Sequence, residues 1–372
     1  MNQIFSIKPA IQMYESAEEF CKDYTLGEGD LFLVSDSLYQ NYFKGKTGAA
    51  TVVNYRNYGS GEPTDEMVEG IYRDIQGSEF RRVIAAGGGT ILDVAKLFAL
   101  KTVSPVTDLY ENKTELIKEK ELILIPTTCG TGSEVTNISI LELISRKTKL
   151  GLASDELYAD KAVLIPELLS GLPFRFFATS SIDALIHSVE SFTSPKANAF
   201  TELYSRQAME MILKSYQKIA REGEDARITV LKDMITASTF AGIAFGNAGC
   251  GAVHAMSYPL GAACHVPHGE ANYALFTGVY QTYLEMQPNG RIQSLNEHLA
   301  KSLQCDSKAV YQKLDGLLGH ILPKKRLREY GVSIEDLKSF TDTVMTKQGR
   351  LMANSYVPLD WEAVEGIYRK LW

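Results

Sequence analysis

The chain has 372 residues, 45% hydrophobic and 22% charged, with a formal net charge of −7 and a pI near 5.5. That length exceeds one simple core and suits two domains. The acidic balance argues against a nucleic-acid binder, whose footprint is basic. The opening segment MNQIFSIKP lacks the charged head and long apolar stretch of a signal peptide, and no uninterrupted apolar run reaches membrane-spanning length, so a cytoplasmic protein without membrane partners is expected.

In chain order, DLFLVS at 30–35 reads as a strand and is followed by Asp36. DEMVEGIYRD at 65–74 reads as a helix. RVIAA at 82–86 is the next strand, and it runs through Gly87, Gly88 and Gly89 into a helical pattern from Thr90 to Leu100. ELILI at 121–125 is a third strand, closed by Pro126, and AVLI at 162–165 a fourth. Strands alternating with helices imply βαβ units and a mostly parallel sheet. After about residue 175 strand-like runs fade and helical periodicity dominates, as in residues 202–219. The last helix, WEAVEGIYRKL at 361–371, carries one apolar stripe of Val364, Ile367, Tyr368 and Leu371, with Asp360 as its N-cap. The reading is an α/β dinucleotide-binding domain over residues 1–178 and an all-helical metal-binding domain over residues 179–372, with no internal repeat, low-complexity tract or disordered linker.

The cysteines are Cys21, Cys129, Cys250, Cys264 and Cys305. An odd, scattered set without a C-x-x-C pair fits reduced thiols better than a disulfide framework. Cys264 reads as a small buried hydrophobe.

The triple glycine at 87–89 ends a strand and opens a helix, which lets backbone approach an anion at a helix N-terminus. Alone it is a weak signal, and it is not the G-x-G-x-x-G fingerprint. Thr90 can donate to a phosphate oxygen, and Asp93 either caps the helix or meets the cofactor. A second polar loop, PTTCGTGSEVT at 126–136, follows the third strand. Two such loops, each ending a strand, favour a nucleotide. Asp36 is placed to bind ribose hydroxyls and to repel a 2′-phosphate, favouring NAD over NADP, with an exposed N-cap as the competing role.

Two further segments carry candidate metal ligands. In SSIDALIHSVE at 180–190, Asp183 and His187 stand four apart and share a helix face. In GAVHAMSYPLGAACHVPHG at 251–269, His254 and His268 lie fourteen apart among small residues. One carboxylate and three imidazoles suit Zn²⁺ or Fe²⁺, with raw affinity favouring zinc. His265 in the same loop is open between ligand, proton relay and surface. Glu190, at i+7 from Asp183, shares its side, where it could stand behind the ligands, and solvated surface is its expected role; His298 and His320 read as structural.

Taken together, GGGTILDVAK at 87–96, PTTCGTGSE at 126–134, DALIH at 183–187 and the His254–His268–Gly269 arrangement resemble the iron-containing (group III) alcohol dehydrogenase family, over nearly the whole chain. Within it the likeness is greater toward the 4-hydroxybutyrate dehydrogenase branch, on residues 119–140 and 245–273. The resemblance implies the dehydroquinate synthase-like fold of that family, with a dinucleotide-binding domain, a helical metal-binding domain and a cleft between. It implies Asp183, His187, His254 and His268 as ligands of a divalent metal, Fe²⁺ by likeness and Zn²⁺ as the other choice. It sets the pyrophosphate of NAD on Gly88, Gly89 and Thr90, and Thr127, Thr128, Thr131, Thr136 and Lys149 along the nicotinamide half. It implies a homodimer or larger homo-oligomer acting on a small molecule. Many relatives carry a histidine four residues after the equivalent of His254; here that residue is Tyr258, so Tyr258, His265 or water must relay protons. The implied reaction interconverts 4-hydroxybutyrate and succinate semialdehyde with NAD(H). Its rivals are another small primary alcohol or diol, a dehydroquinate-synthase-like lyase that returns NAD unchanged, and a retired scaffold. No basic cluster for a substrate carboxylate is visible near the ligands in the sequence; His265, Asn247, Tyr258 and Tyr273 are the candidates.

Overall fold

The computed structural model describes residues 3–146 and 148–372. They form two compact units: Ile7–Leu172, and Pro173–Trp372 together with the N-terminal segment up to Ser6. The sequence reading set this division after residue 178; the structure sets it where Pro173 opens a long helix, as proline commonly does.

The first unit is built on strands β1 (Ala10–Met13), β2 (Asp30–Val34), β3 (Thr51–Asn54), β4 (Arg82–Gly87), β5 (Glu121–Pro126) and β8 (Lys161–Leu164), all parallel, in the order β1-β8-β5-β4-β2-β3. Strands β6 (Ile138–Leu143) and β7 (Thr148–Ala153) make a separate antiparallel hairpin. Because side chains alternate along a strand, the continuous apolar runs feed two cores. Leu31, Leu33, Val83, Ala85, Leu122 and Leu124 enter one, and Phe32, Val34, Ile84, Ala86, Ile123 and Ile125 the other. A sheet buried on both faces is what such runs predict. Helices α1 (Ala17–Tyr24), α2 (Asp65–Ile75) and α3 (Gly89–Phe98) belong to this unit. The edge strands β1 and β3 escape sequence reading because they are short and largely uncovered.

The second unit is helical: α4 (Phe174–Thr193), α5 (Ala199–Glu222), α6 (Leu231–Ala248), α7 (Ala252–Cys264), α8 (His268–Met286), α9 (Arg291–Leu303), α10 (Val310–Ile321), α11 (Asp336–Lys347) and α12 (Trp361–Leu371). The expected fold class holds in both units. Asp360 caps α12 by accepting from the Ala363 N–H at 2.8 Å, and Val364, Ile367 and Tyr368 are buried beneath it. The stretch Glu224–Ala248 is long and apolar enough to cross a membrane by composition, yet 61% of its most apolar window is buried inside the protein, as in a core helix. Helix α4 is buried from Phe177 to Thr193 apart from Ser180, so any buried polar side chain it carries there needs a partner.

Candidate active site

Helix α4 brings Asp183 and His187 to one face, and helices α7 and α8 bring His254 and His268. The Asp183 Oδ1 lies 3.6 Å from His254 Nε2 and 3.9 Å from His268 Nε2, and its Oδ2 lies 3.9 Å from His187 Nε2. These separations are too long for hydrogen bonds. They are the spacing of ligand atoms that share one ion through bonds of about 2.0–2.2 Å. The Nε2 of His254 is buried and has no hydrogen-bond partner, a costly state that an ion relieves. The donor set therefore fits a divalent metal. Cys250 adds to the picture: one donor atom each of His187, Cys250 and His254 falls within 4.8 Å of the others.

At His187 the electrostatics favour the donor form. Burial drives the His187 pKa down to about 4 against the pull of Asp183, with His254 and His268 adding to the fall. The neutral imidazole is the ligand form. Burial opposes charge on Asp183, but the three histidines outweigh it and hold the carboxyl well below its usual range. Phe245 stacks on His187 at 4.2 Å and fixes its ring.

Two supporting residues were not read from sequence as such. Glu190, expected as solvated surface, is buried: its Oε2 takes the His254 Nδ1 at 2.5 Å and its Oε1 accepts the Val253 N–H at 2.7 Å. The i+7 spacing from Asp183 was the signal; what overrode the usual carboxylate exposure is the imidazole of α7. Asn272, one turn after His268, donates to Asp183 Oδ1 at 2.7 Å and stands 3.1 Å from His268 Nε2. Tyr258 follows His254 by one turn on α7, with its ring 6.0 Å from that of His268. His265 is exposed, in the left-handed conformation that ends α7. Tyr273 is buried with its hydroxyl unpartnered, and Asn247 bonds the Ser6 backbone.

In the first unit the strand order reverses between β2 and β4, a topological switch point. The register pairs Val34 with Ala86, so Asp36 and Gly88 follow their strands at the same level. Asp36 is exposed there. Helix α3 has no side-chain cap, which leaves its N-terminal N–H groups for an anion. A Cβ on Gly89 would stand 2.7 Å from Thr131 Cγ2, and one on Gly88 3.4 Å from Thr128 Cγ2, so the 126–136 loop packs directly on the glycine turn. Thr127 is buried and its N–H bonds the Gly87 carbonyl at 2.9 Å. The Thr90 hydroxyl donates to Gly61 O at 2.8 Å.

Like Thr90, three further residues expected at the cofactor, Asp93, Thr136 and Lys149, have partners within the protein. Asp93 is not a cap: its carboxylate receives the Ile140 N–H at 3.0 Å, the Ser133 hydroxyl, and Lys96 at 3.3 Å. Thr136 is buried 3.2 Å from Lys96 Nζ. Lys149, on β7, pairs with Glu62 at 3.0 Å. The organiser of this network is Lys96, fully buried and donating also to Ser133 Oγ and Ile138 O at 2.7 and 2.6 Å.

Comparison with known proteins shows the family. The family described as iron-containing alcohol dehydrogenase matches residues 16–166, and the C-terminal domain of the Fe-containing alcohol dehydrogenase family matches residues 177–372. The chain is 47% identical over 370 residues to 4-hydroxybutyrate dehydrogenase of Clostridium kluyveri, covering 100% of each. It is 36% identical over 317 residues to long-chain-alcohol dehydrogenase 1 of Geobacillus thermodenitrificans, covering 82% of this chain and 79% of that one. Among solved structures, sulfoacetaldehyde reductase from Bifidobacterium kashiwanohense, in complex with NAD⁺, superposes with a TM-score of 0.85 at 22% identity, covering 100% of this chain and 99% of that one. The chain belongs to the iron-containing alcohol dehydrogenase family.

Proposed function

We propose that this family member is a metal-dependent, NAD(H)-linked dehydrogenase that interconverts 4-hydroxybutyrate and succinate semialdehyde. The observation that carries the substrate is the full-length identity to the C. kluyveri enzyme. What supports the chemistry is the cluster of Asp183, His187, His254 and His268 around an unpartnered buried nitrogen.

When bound, a divalent ion, Fe²⁺ or Zn²⁺, supplies Lewis acidity toward the substrate oxygen, and the nicotinamide supplies the hydride donor or acceptor. The chain supplies the rest. Burial keeps His187 neutral and able to donate its lone pair. Glu190 fixes the tautomer of His254, and Asn272 orients Asp183 and His268. The uncapped α3 terminus with Gly88, Gly89 and Thr90 takes the pyrophosphate, and Asp36 favours NAD over NADP. Thr127, Thr128 and Thr131 are retained as nucleotide contacts. Asp93 and Thr136 help hold the loop that makes them, and Lys149 stays a candidate along the nicotinamide half beside its pairing with Glu62. Tyr258 is the stronger relay of the two named, because it lies on the ligand helix while His265 is exposed at its end. The reading also carries a homodimer or larger homo-oligomer in the cytoplasm, where the free cysteines stay reduced.

The test is NADH oxidation followed by absorbance with succinate semialdehyde and butyraldehyde, before and after chelation. Turnover of succinate semialdehyde, lost on chelation and restored by Fe²⁺ or Zn²⁺, is the expected result. Equal turnover of both aldehydes keeps the family and discards the substrate. No net change in NADH discards the dehydrogenase in favour of a lyase that regenerates its cofactor.

A further inference from the structure

The proposed substrate carries a carboxylate at the end remote from its alcohol, and such a charge needs cations or aligned donors wherever it docks. Among the described residues, the charged side chains shown beside the ligand histidines are the carboxylates Asp183 and Glu190. A cationic cluster lies at the start of α8. Glu270, two residues beyond His268, is only 3% exposed. Its Oε2 accepts from Arg175 Nη2 at 2.7 Å and its Oε1 from the Tyr330 hydroxyl at 3.2 Å, with Lys325 Nζ at 3.9 Å.

Two cations, Arg175 and Lys325, thus face the Glu270 carboxylate. The N-terminal end of the 19-residue helix α8 adds potential of the same sign. The side chains of Arg175 and Lys325 are 61% and 43% exposed. An arginine has five N–H donors in a planar fork suited to carboxylates, and the contact with Glu270 occupies one end of it. As a stabilising device the arrangement is poor: a half-exposed ion pair contributes little, whereas desolvating Glu270 is costly.

Its place in the fold relates it to the metal ligands. Arg175, Thr179, Asp183 and His187 follow at four-residue steps along one flank of α4. Helix α8 lies against that flank, since a Cβ on Gly269 would stand 2.2 Å from Thr179 O and 3.3 Å from Asp183 Cβ. Eight residues separate Arg175 from Asp183, about 12 Å of helical rise. A four-carbon hydroxy acid spans about 6 Å from hydroxyl to carboxylate at ordinary bond lengths, and an extended arginine side chain covers a similar distance.

Resting on the substrate reading above, we propose that Arg175, held by Glu270 and assisted by Lys325, binds the remote carboxylate of the substrate. The site thereby selects ω-hydroxy acids and their semialdehydes over uncharged alcohols and aldehydes.

The experiment compares kcat/KM for succinate semialdehyde and for butyraldehyde, which lacks the carboxylate, in the metal-loaded enzyme and its variants. Arg175→Met is expected to collapse the preference for succinate semialdehyde at least tenfold, through KM more than kcat. Arg175→Lys restores part of it, and Lys325→Met gives a smaller loss. Calorimetric binding of succinate to the NADH-saturated enzyme weakens in the same order. A preference that stays at its wild-type value in Arg175→Met, whether both substrates decline together or neither moves, overturns the proposal while the substrate reading stands. A wild-type enzyme that does not prefer succinate semialdehyde overturns both. Should Arg175→Met fail to fold, Arg175→Lys and Lys325→Met carry the same test of the ratio.

Discussion

His254 Nδ1 and Glu190 Oε2 stand 2.5 Å apart with both side chains buried. A second oxygen of the same carboxylate is anchored by the Val253 N–H, so Glu190 is itself fixed. A hydrogen bond at Nδ1 sets the proton there and leaves Nε2 as the lone-pair nitrogen. That nitrogen is the one without a partner.

Replacing Glu190 by Gln keeps the shape and removes the charge. We expect metal affinity to fall roughly 10- to 100-fold, the usual cost of losing a partner behind a ligating histidine. Competition with a chromophoric chelator measures it. Wild-type affinity in this variant would mean that Glu190 merely fills a buried space.

His268 is the most exposed of the four proposed ligands, with 30% of its side chain accessible. His268→Ala removes a donor without leaving a large cavity. Metal-dependent turnover should be abolished while NADH binding, followed by fluorescence, persists, because the nucleotide loops belong to the other compact unit. Full activity in His268→Ala would sink the ligand assignment.

The clustering of Asp183, His187, His254 and His268 was legible in sequence because a helix converts i,i+4 spacing into a shared face, as Asp183 and His187 illustrate. Glu190 was misjudged for a different reason: a carboxylate's burial depends on a partner from another helix, here His254, which spacing along one helix does not reveal. Asn272 and the Arg175–Glu270 pair are missed likewise, as contacts between α4 and α8 across a long sequence gap. In the first unit, β2, β4, β5 and β8 announce themselves through continuous apolar runs, whereas β1 and β3 have little to bury. Asp93 and Lys96 look like a cofactor motif in sequence, yet their polar atoms are turned inward to each other and to the following loop.

Gly269 has no room for a side chain. A Cβ there would meet the Thr179 carbonyl at 2.2 Å, and the contacted atom is backbone that cannot rotate away. Gly269→Ala must push α8 off α4, shifting His268 relative to Asp183. We expect a loss of stability of about 1–3 kcal/mol, typical of overpacking, with weaker metal retention. Thermal unfolding and metal content after dialysis read the two effects. An unaltered melting temperature would refute the close approach.

Lys96 joins the glycine-turn helix to the loop beyond β5 from a position with no solvent access. Lys96→Met keeps the apolar stem and removes the ammonium, leaving Asp93 without its cation. Breaking a buried pair in this way typically costs about 3–5 kcal/mol. Asp93 retains donors from Ser133 and Ile140, which favours the lower end. The pH dependence has a definite sign. Burial lowers the Lys96 pKa below its ordinary 10.5, with Asp93 and Glu134 opposing the fall. Between the folded value and 10.5 the unfolded chain holds a proton that the native protein does not. Stability contributed by this residue therefore rises as pH climbs through that window and is diminished below it. The methionine variant lacks the effect. Urea unfolding of both proteins should thus show a wild-type advantage that widens as pH rises toward 10.5. A gap that narrows instead would mean that the loop network holds Lys96 charged more firmly than its burial opposes it, and that the ammonium is a net source of stability at neutral pH.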